Sequence, residues 1–309
     1  MKNISIAIHG GAGTIRKDSL TKTKEQEYKQ ILQLALDAGY QLLEQGATSL
    51  DAVEMSVSKL EDSHLFNAGK GSVFTANGTH EMDASIMDGS TLEAGAISLV
   101  TGVKNPVQLS RLVMEKSDHL FLSGEGAQDF ARSVNCEFRD EDYFYDEFRH
   151  QQWLALKGSD TFQLDHSLSK EDKFGTVGAV ALDKFGNIAA ATSTGGMTNK
   201  MYGRVGDSSI IGSGTYANNL TCAVSCTGSG EYFIRGVVAY DVSCLIEYKK
   251  MSLAEACTEV IQYRLKKIGG DGGLIALDNN GNIVLEFNTQ GMYRGRRSVD
   301  GLNEVIIYQ

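Results

Sequence analysis

Two stretches of this 309-residue chain read almost alike. Gly178-Ala-Val-Ala-Leu-Asp183-Lys-Phe-Gly186-Asn187-Ile188 matches Gly273-Leu-Ile-Ala-Leu-Asp278-Asn-Asn-Gly281-Asn282-Ile283 position by position. Each is an apolar strand, an Asp-x-x-Gly-Asn turn and the start of a second strand, the pattern of a β-hairpin. A hairpin used twice calls for antiparallel pairing rather than βαβ crossovers. Further strands are predicted at Ile4–Ile8, running into a glycine turn His9–Gly13, and at Ala94–Val100. Apolar residues at helical spacing (Ile31, Leu34, Ala35, Ala38, Leu42) predict a helix from Lys24 to Glu44. A second is predicted to Leu60 with Ser49 as its N-cap, and a third from Asn105-Pro106 to about Glu115. Glu231 to Tyr248 and Ser252 to about Lys267 also read as helices. Two sheets with helices outside them is the expected architecture, an α+β fold.

The bulk numbers exclude several functions. The net charge of −10 and the lack of a Lys/Arg stripe exclude nucleic acid as a partner. Ser208 to Gly230 carries no charge but is full of Ser, Thr, Asn and Gly, so no membrane span is expected there. The apolar run Ile4–Ile8 is too short for a secretory signal. Five cysteines without a CxxC pair suit buried thiols in a reducing compartment, so a soluble cytoplasmic protein is expected. With 34 Gly against 1 Pro, the chain suggests tight hairpins and backbone-lined sites.

Charge changes abruptly near the middle. Residues 137–173 hold ten acids and five bases, whereas Phe174 to Gly203 contains only Asp183, Lys184 and Lys200. A polar, mobile segment is expected to end between Lys173 and Phe174, where a buried strand begins.

The familiar nucleotide and metal motifs fail. Ala68-Gly69-Lys70-Gly71-Ser72 has His64 where a P-loop needs its first glycine and Gly71 where it needs Ser or Thr. Gly212-Ser-Gly214-Thr-Tyr-Ala217 is followed by Asn218 and Asn219 where a dinucleotide-binding helix would start. No histidine follows His166, and no zinc-ligand spacing is present.

The region 192–230 carries more. Thr192-Ser193-Thr194-Gly195-Gly196 and Thr227-Gly228-Ser229-Gly230 set hydroxyls beside backbone donors, the materials of an oxyanion hole. Between them stand an isolated Arg204 and Asp207. Two readings stand for this pair: a clamp for a zwitterion, or a local surface salt bridge. Thr176, if freed at its amino side by scission after Gly175, would carry both a nucleophilic hydroxyl and an amine base titrating at about 7.7–8.0.

Taken together, these residues resemble the plant-type asparaginase and isoaspartyl peptidase family of N-terminal nucleophile hydrolases. The resemblance runs through Ile8-His9-Gly10-Gly11-Ala12-Gly13, Leu65-Phe66-Asn67-Ala68-Gly69 and Met82-Asp83-Ala84-Ser85-Ile86-Met87-Asp88-Gly89. It continues through Gly175-Thr176-Val177-Gly178, Gly203-Arg204-Val205-Gly206-Asp207, Thr227-Gly228-Ser229-Gly230-Glu231 and Gly269-Gly270-Asp271-Gly272-Gly273.

The resemblance implies a single αββα domain spanning 1–309, made as a precursor that cleaves itself between Gly175 and Thr176. An α chain of 1–175 and a β chain of 176–309 would stay associated and pair into an (αβ)2 heterotetramer. It implies Thr176 as nucleophile, Thr194 beside it, and Thr227 and Gly228 as the oxyanion hole. Arg204 would bind the substrate carboxylate and Asp207 its ammonium, with Gly230 adding a main-chain contact to the ammonium and Asn67 and the His9–Gly13 turn supporting the substrate site's geometry. No catalytic cofactor is implied, but a structural sodium ion is, held by Leu60, Glu61, Ser63, Phe66, Ala68 and Lys70. Here the turn Lys200-Met201-Tyr202-Gly203 lacks a proline common in relatives, and Asp271 adds a charge near the site. The implied activity is β-aspartyl peptidase with L-asparaginase activity, on small-molecule substrates. The alternatives are a glycosylasparaginase of the same fold and a non-enzymatic small-molecule binding protein.

Overall fold

The computed structural model describes residues 3–17, 20–158 and 175–309, so the expected boundary at Lys173–Phe174 lies outside the described residues. Among the described residues, the strands are β1 (Ser5–Gly13), β2 (Met82–Asp88), β3 (Ala94–Val100), β4 (Phe121–Ser123), β5 (Val177–Leu182) and β6 (Ile188–Thr194), followed by β7 (Thr215–Ala217), β8 (Ala223–Gly228), β9 (Gly272–Leu277), β10 (Ile283–Phe287), β11 (Gly291–Ser298) and β12 (Asn303–Tyr308). They form one sheet in the order β12-β11-β1-β5-β6-β2-β3-β4 and a second in the order β10-β9-β8-β7. Every neighbouring pair is antiparallel except β3 with β4.

The repeated motif folds the same way twice. Asp183 Oδ1 accepts from the N–H groups of Phe185 (2.8 Å) and Asn187 (3.0 Å). Asp278 Oδ1 does the same for Asn280 (2.9 Å) and Asn282 (3.0 Å). Gly186 and Gly281 take left-handed φ of 91° and 87° to close the two turns.

Helices cover both outer faces. On the first sheet lie α1 (Lys22–Gln45), α2 (Ser49–Glu61) and α3 (Pro106–Lys116), followed in the chain by α4 (Gly124–Ser133), α5 (Glu141–Phe144) and α6 (Glu147–Leu156). On the second lie α7 (Gly230–Gly236), α8 (Val238–Lys249) and α9 (Leu253–Thr258). Side chains alternate between layers along each strand. Ile6, Ile8, Ala179 and Ala181 pack with Leu32, Leu36, Val53 and Val57 under α1 and α2. Their neighbours Ala7, Val180 and Leu182 face Ala223, Ile275 and Leu277 between the sheets. Val224, Cys226, Leu274 and Ala276 then bury against Phe233, Val242 and Ala256 on the far side. The result is the four-layer αββα arrangement expected.

Several local expectations change. His9–Gly13 is not a turn but the end of β1, with a register shift between His9 and Ala12. The N-cap of α2 is Thr48, one residue before Ser49, because Thr48 and Asp51 close a reciprocal capping box. Ser49 instead donates its N–H to Asp183 Oδ2 at 3.1 Å, tying helix to hairpin. The helix foreseen over Glu231–Tyr248 breaks at Val237, whose φ is 47°. The N–H groups of Ala239 and Tyr240 bond to Ser213 O and Gly212 O there, so the helix restarts on a tertiary partner. Beyond α9 the chain continues as a π-helical stretch, Glu259–Leu265. At the start of the stretch foreseen as polar and mobile, Glu141–Phe144 and Glu147–Leu156 are helical and bury Phe144, Arg149, Trp153 and Leu156.

Candidate active site

The β5–β6 hairpin sets the centre of the site. Its register pairs Val177 with Ser193, so the next residues outward, Thr176 and Thr194, stand opposite one another. Both are buried. Thr176 Oγ1 donates to Thr194 Oγ1 at 3.1 Å, and Thr194 Oγ1 also accepts from the Gly196 N–H at 3.0 Å. A hydroxyl oxygen that accepts twice is held in place and polarises the donor. Ser208 Oγ lies 3.4 Å from Thr176 Oγ1 as a further polar contact that the sequence reading missed.

Glycines let three backbone segments converge on the Gly175–Thr176 bond. A Cβ at Gly11, where φ is 111°, would lie 2.5 Å from Gly175 N. The bulge that ends β1 therefore presses against the residue before Thr176. On the other side, a Cβ at Gly175 would lie 3.1 Å from Thr227 Oγ1. Thr227 and Gly228 end β8, and the buried Thr227 hydroxyl has no hydrogen-bond partner among the described residues. A buried donor without a partner beside Thr176 is the kind of group an oxyanion would satisfy.

Arg204 and Asp207 flank this centre. Asp207 is buried, and burial pushes its carboxyl up to about 7, against the opposing pull of the Arg204 guanidinium. Its Oδ2 has no hydrogen-bond partner among the described residues. A Cβ at Gly230 would lie 2.8 Å from Asp207 Oδ1 and 3.0 Å from Arg204 Nη2, so Gly230 leaves both groups open to one space. Arg204 Nε, however, donates to Glu231 Oε1 at 2.9 Å. Asn67 has its polar atoms taken up internally. Its Nδ2 donates to Gly196 O at 2.7 Å and its Oδ1 accepts from Val73 N–H at 3.1 Å, clipping the loop after Thr194.

Beneath the site, buried side chains join the two sheets. His9 Nε2 lies 2.9 Å from Ser225 Oγ, Ser225 Oγ 2.7 Å from Thr192 Oγ1, and Thr215 Oγ1 donates to Thr192 Oγ1 at 2.6 Å. Ser85 Oγ reaches Thr215 Oγ1 at 2.8 Å. Burial pushes the His9 imidazole down to about 3, so it is neutral. Asp83, directly opposite Thr194 in β2, is fully buried and accepts the Leu99 N–H at 2.9 Å. Burial raises its carboxyl, with Lys200 pulling the other way. Asp83 stood in the sequence only as part of the Met82–Gly89 motif.

Among the described residues, no group of three or more His, Cys, Asp or Glu gathers to hold a metal. The loop after α2 offers different chemistry. Cβ atoms at Gly69 and Gly71 would lie 2.5 Å from Glu61 O and 2.2 Å from Phe66 O, so glycines let the loop wrap onto main-chain oxygens. Glu61 is fully buried, its Oε1 accepts the Val107 N–H at 3.0 Å, and the Ser193 and Asn105 side chains also favour its charged form. Hard oxygen donors beside an unbalanced buried carboxylate fit a hard cation such as sodium. All five cysteines are free, and no described helix is long and apolar enough to cross a membrane.

Comparison with known proteins gives a single answer. Residues 2–307 match the family described as asparaginase. The isoaspartyl peptidase of Salmonella typhimurium is 52% identical, covering 95% of both chains. That of Escherichia coli is 51% identical, covering 94% of this chain and 91% of the other. The plant-type L-asparaginase of Pyrococcus furiosus is 44% identical, covering 94% of both.

Proposed function

The chain belongs to the asparaginase family, and from that premise we propose that it is an isoaspartyl peptidase with L-asparaginase activity, matured by scission between Gly175 and Thr176. It is an amide-bond hydrolase of this family; the substrate, the scission and the roles below are our reading. Thr176 Oγ attacks the β-carbonyl carbon of asparagine or of an isoaspartyl peptide, passing its proton to its own α-amine. Thr227 Oγ1 and the Gly228 N–H stabilise the oxyanion. The ammonium protonates the departing amine, an acyl-enzyme ester remains on Thr176, and water hydrolyses it to release aspartate. Thr194 orients the nucleophile throughout. Arg204 grips the α-carboxylate and Asp207 the α-ammonium, so one clamp serves both substrates.

The reading rests on one contact, the 3.1 Å hydrogen bond from Thr176 Oγ1 to Thr194 Oγ1 in a buried site with an unmatched Thr227 hydroxyl. In our reading the two fragments pair as (αβ)2 in a reducing cytoplasm, which the five free thiols suit. Main-chain oxygens of Leu60, Glu61, Ser63, Phe66, Ala68 and Lys70 would hold a sodium ion that stiffens the loop leading to Asn67. Denaturing mass spectrometry tests the core claim. The parent should appear as two fragments with Thr176 heading the second, and Thr176→Ala as one inactive chain. An intact parent that still hydrolyses β-aspartyl dipeptides overturns it.

A further inference from the structure

The guanidinium of Arg204 is not paired with Asp207 among the described residues, although both face the space in front of Gly230. Its Nε edge is taken instead by Glu231 Oε1 at 2.9 Å. Its terminal nitrogens lie against Gly206 and Gly230, where added Cβ atoms would be 2.9 Å from Nη1 and 3.0 Å from Nη2. The guanidinium fork is planar, so fixing Nε fixes the plane and direction of the terminal pair. The Glu231 side chain is half exposed, whereas that of Arg204 is mostly covered. The Glu231 carboxyl lies below its ordinary range, with Arg204 as the partner that offsets the cost of its burial.

Resting on the functional reading above, we propose that Glu231 is a specificity-determining positioning residue that holds Arg204 for the substrate α-carboxylate. Asp207 carries an unmatched Oδ2 within the same space. Asp207 attracts Arg204 and shares the space in front of Gly230 with it, so without Glu231 the two can pair and close the clamp on itself. With Glu231 in place, the terminal nitrogens stay free for a bidentate carboxylate and Asp207 stays free for an ammonium. Neither Glu231 nor its partner edge touches the reacting atoms, so the effect falls on recognition of the amino-acid head rather than on the chemical step.

The test uses the mature protein and its Glu231→Gln and Glu231→Ala variants. Both should self-cleave and keep kcat for L-asparagine within about threefold, while KM rises about tenfold, equivalent to ~1.4 kcal/mol. The Ki of L-aspartate should rise by a similar factor, whereas that of β-alanine, which has no α-carboxylate, should stay unchanged. Wild-type turnover together with unchanged or lower KM in the variants overturns this inference alone. A parallel rise in the β-alanine Ki overturns it too, because it signals general damage. If the wild type turns over neither asparagine nor isoaspartyl dipeptides, the inference falls together with the reading it rests on.

Discussion

The Thr176 hydroxyl donates to Thr194 Oγ1 across the open end of the β5–β6 hairpin, at 3.1 Å. Thr194→Val keeps the shape and removes the acceptor. A nucleophile held out of line by about 1 Å can lose roughly a hundredfold in rate, so kcat should fall by that order with KM within a few-fold. Steady-state kinetics on asparagine check this; a kcat like the parent's would remove Thr194 from the mechanism.

Gly11 presses on Gly175, the residue before Thr176, with a Cβ position 2.5 Å from Gly175 N and a left-handed φ of 111°. Gly11→Ala meets backbone that cannot step aside, and adds strain of roughly 1–2 kcal/mol for the φ alone. The variant should accumulate as a folded, uncut chain. Gel analysis of fresh and aged protein would show this, and normal maturation would mean that the close approach is unimportant for scission.

Asp207 should control head-group binding near neutrality. Its carboxyl is raised to about 7, so it loses its charge as pH falls through that value. Only the ionised form pairs with an ammonium. The Ki of L-aspartate should therefore worsen steadily from about pH 8 to about pH 6, approaching tenfold per unit at the acid end. A flat profile would show that another group receives the ammonium.

Glu61 gives a stability test. Burial raises its carboxyl from 4.5 to about 8, so the folded state holds the proton more tightly than the unfolded chain. That contribution is whole below about pH 4.5 and fades as pH climbs through 8. Glu61→Gln should flatten the resulting decline in Tm. A sodium ion in the loop favours the ionised form, so Tm at pH 8 should be higher in sodium chloride than in choline chloride at equal strength. Equal Tm values in the two salts would remove the ion from the account.

The β5–β6 hairpin shows why much of the site was legible in sequence. Asp183 and Gly186 close the turn through local bonds, and strand periodicity then forces Thr194 opposite Thr176 without help from the rest of the chain. Glu231 was quoted only as part of a motif. Nothing in the spacing of Arg204 and Glu231 says that they meet, because a loop and two further strands separate them. Asn67 was expected to support the site, but its partners, Gly196 O and the Val73 N–H, are set by how the loops pack and not by any spacing in the sequence.

The α+β class, the paired hairpins and the residues able to do the chemistry follow from short-range rules: period, turn residues and side-chain reactivity. Tertiary structure alone decided the break at Val237, the bulge that brings Gly11 onto Gly175, the buried state of Asp207 and Glu61, and the partner of Arg204. Those features depend on which surfaces exclude water and which distant backbone approaches. Such energies depend on contacts far apart along the chain, so no local stretch of residues can encode them.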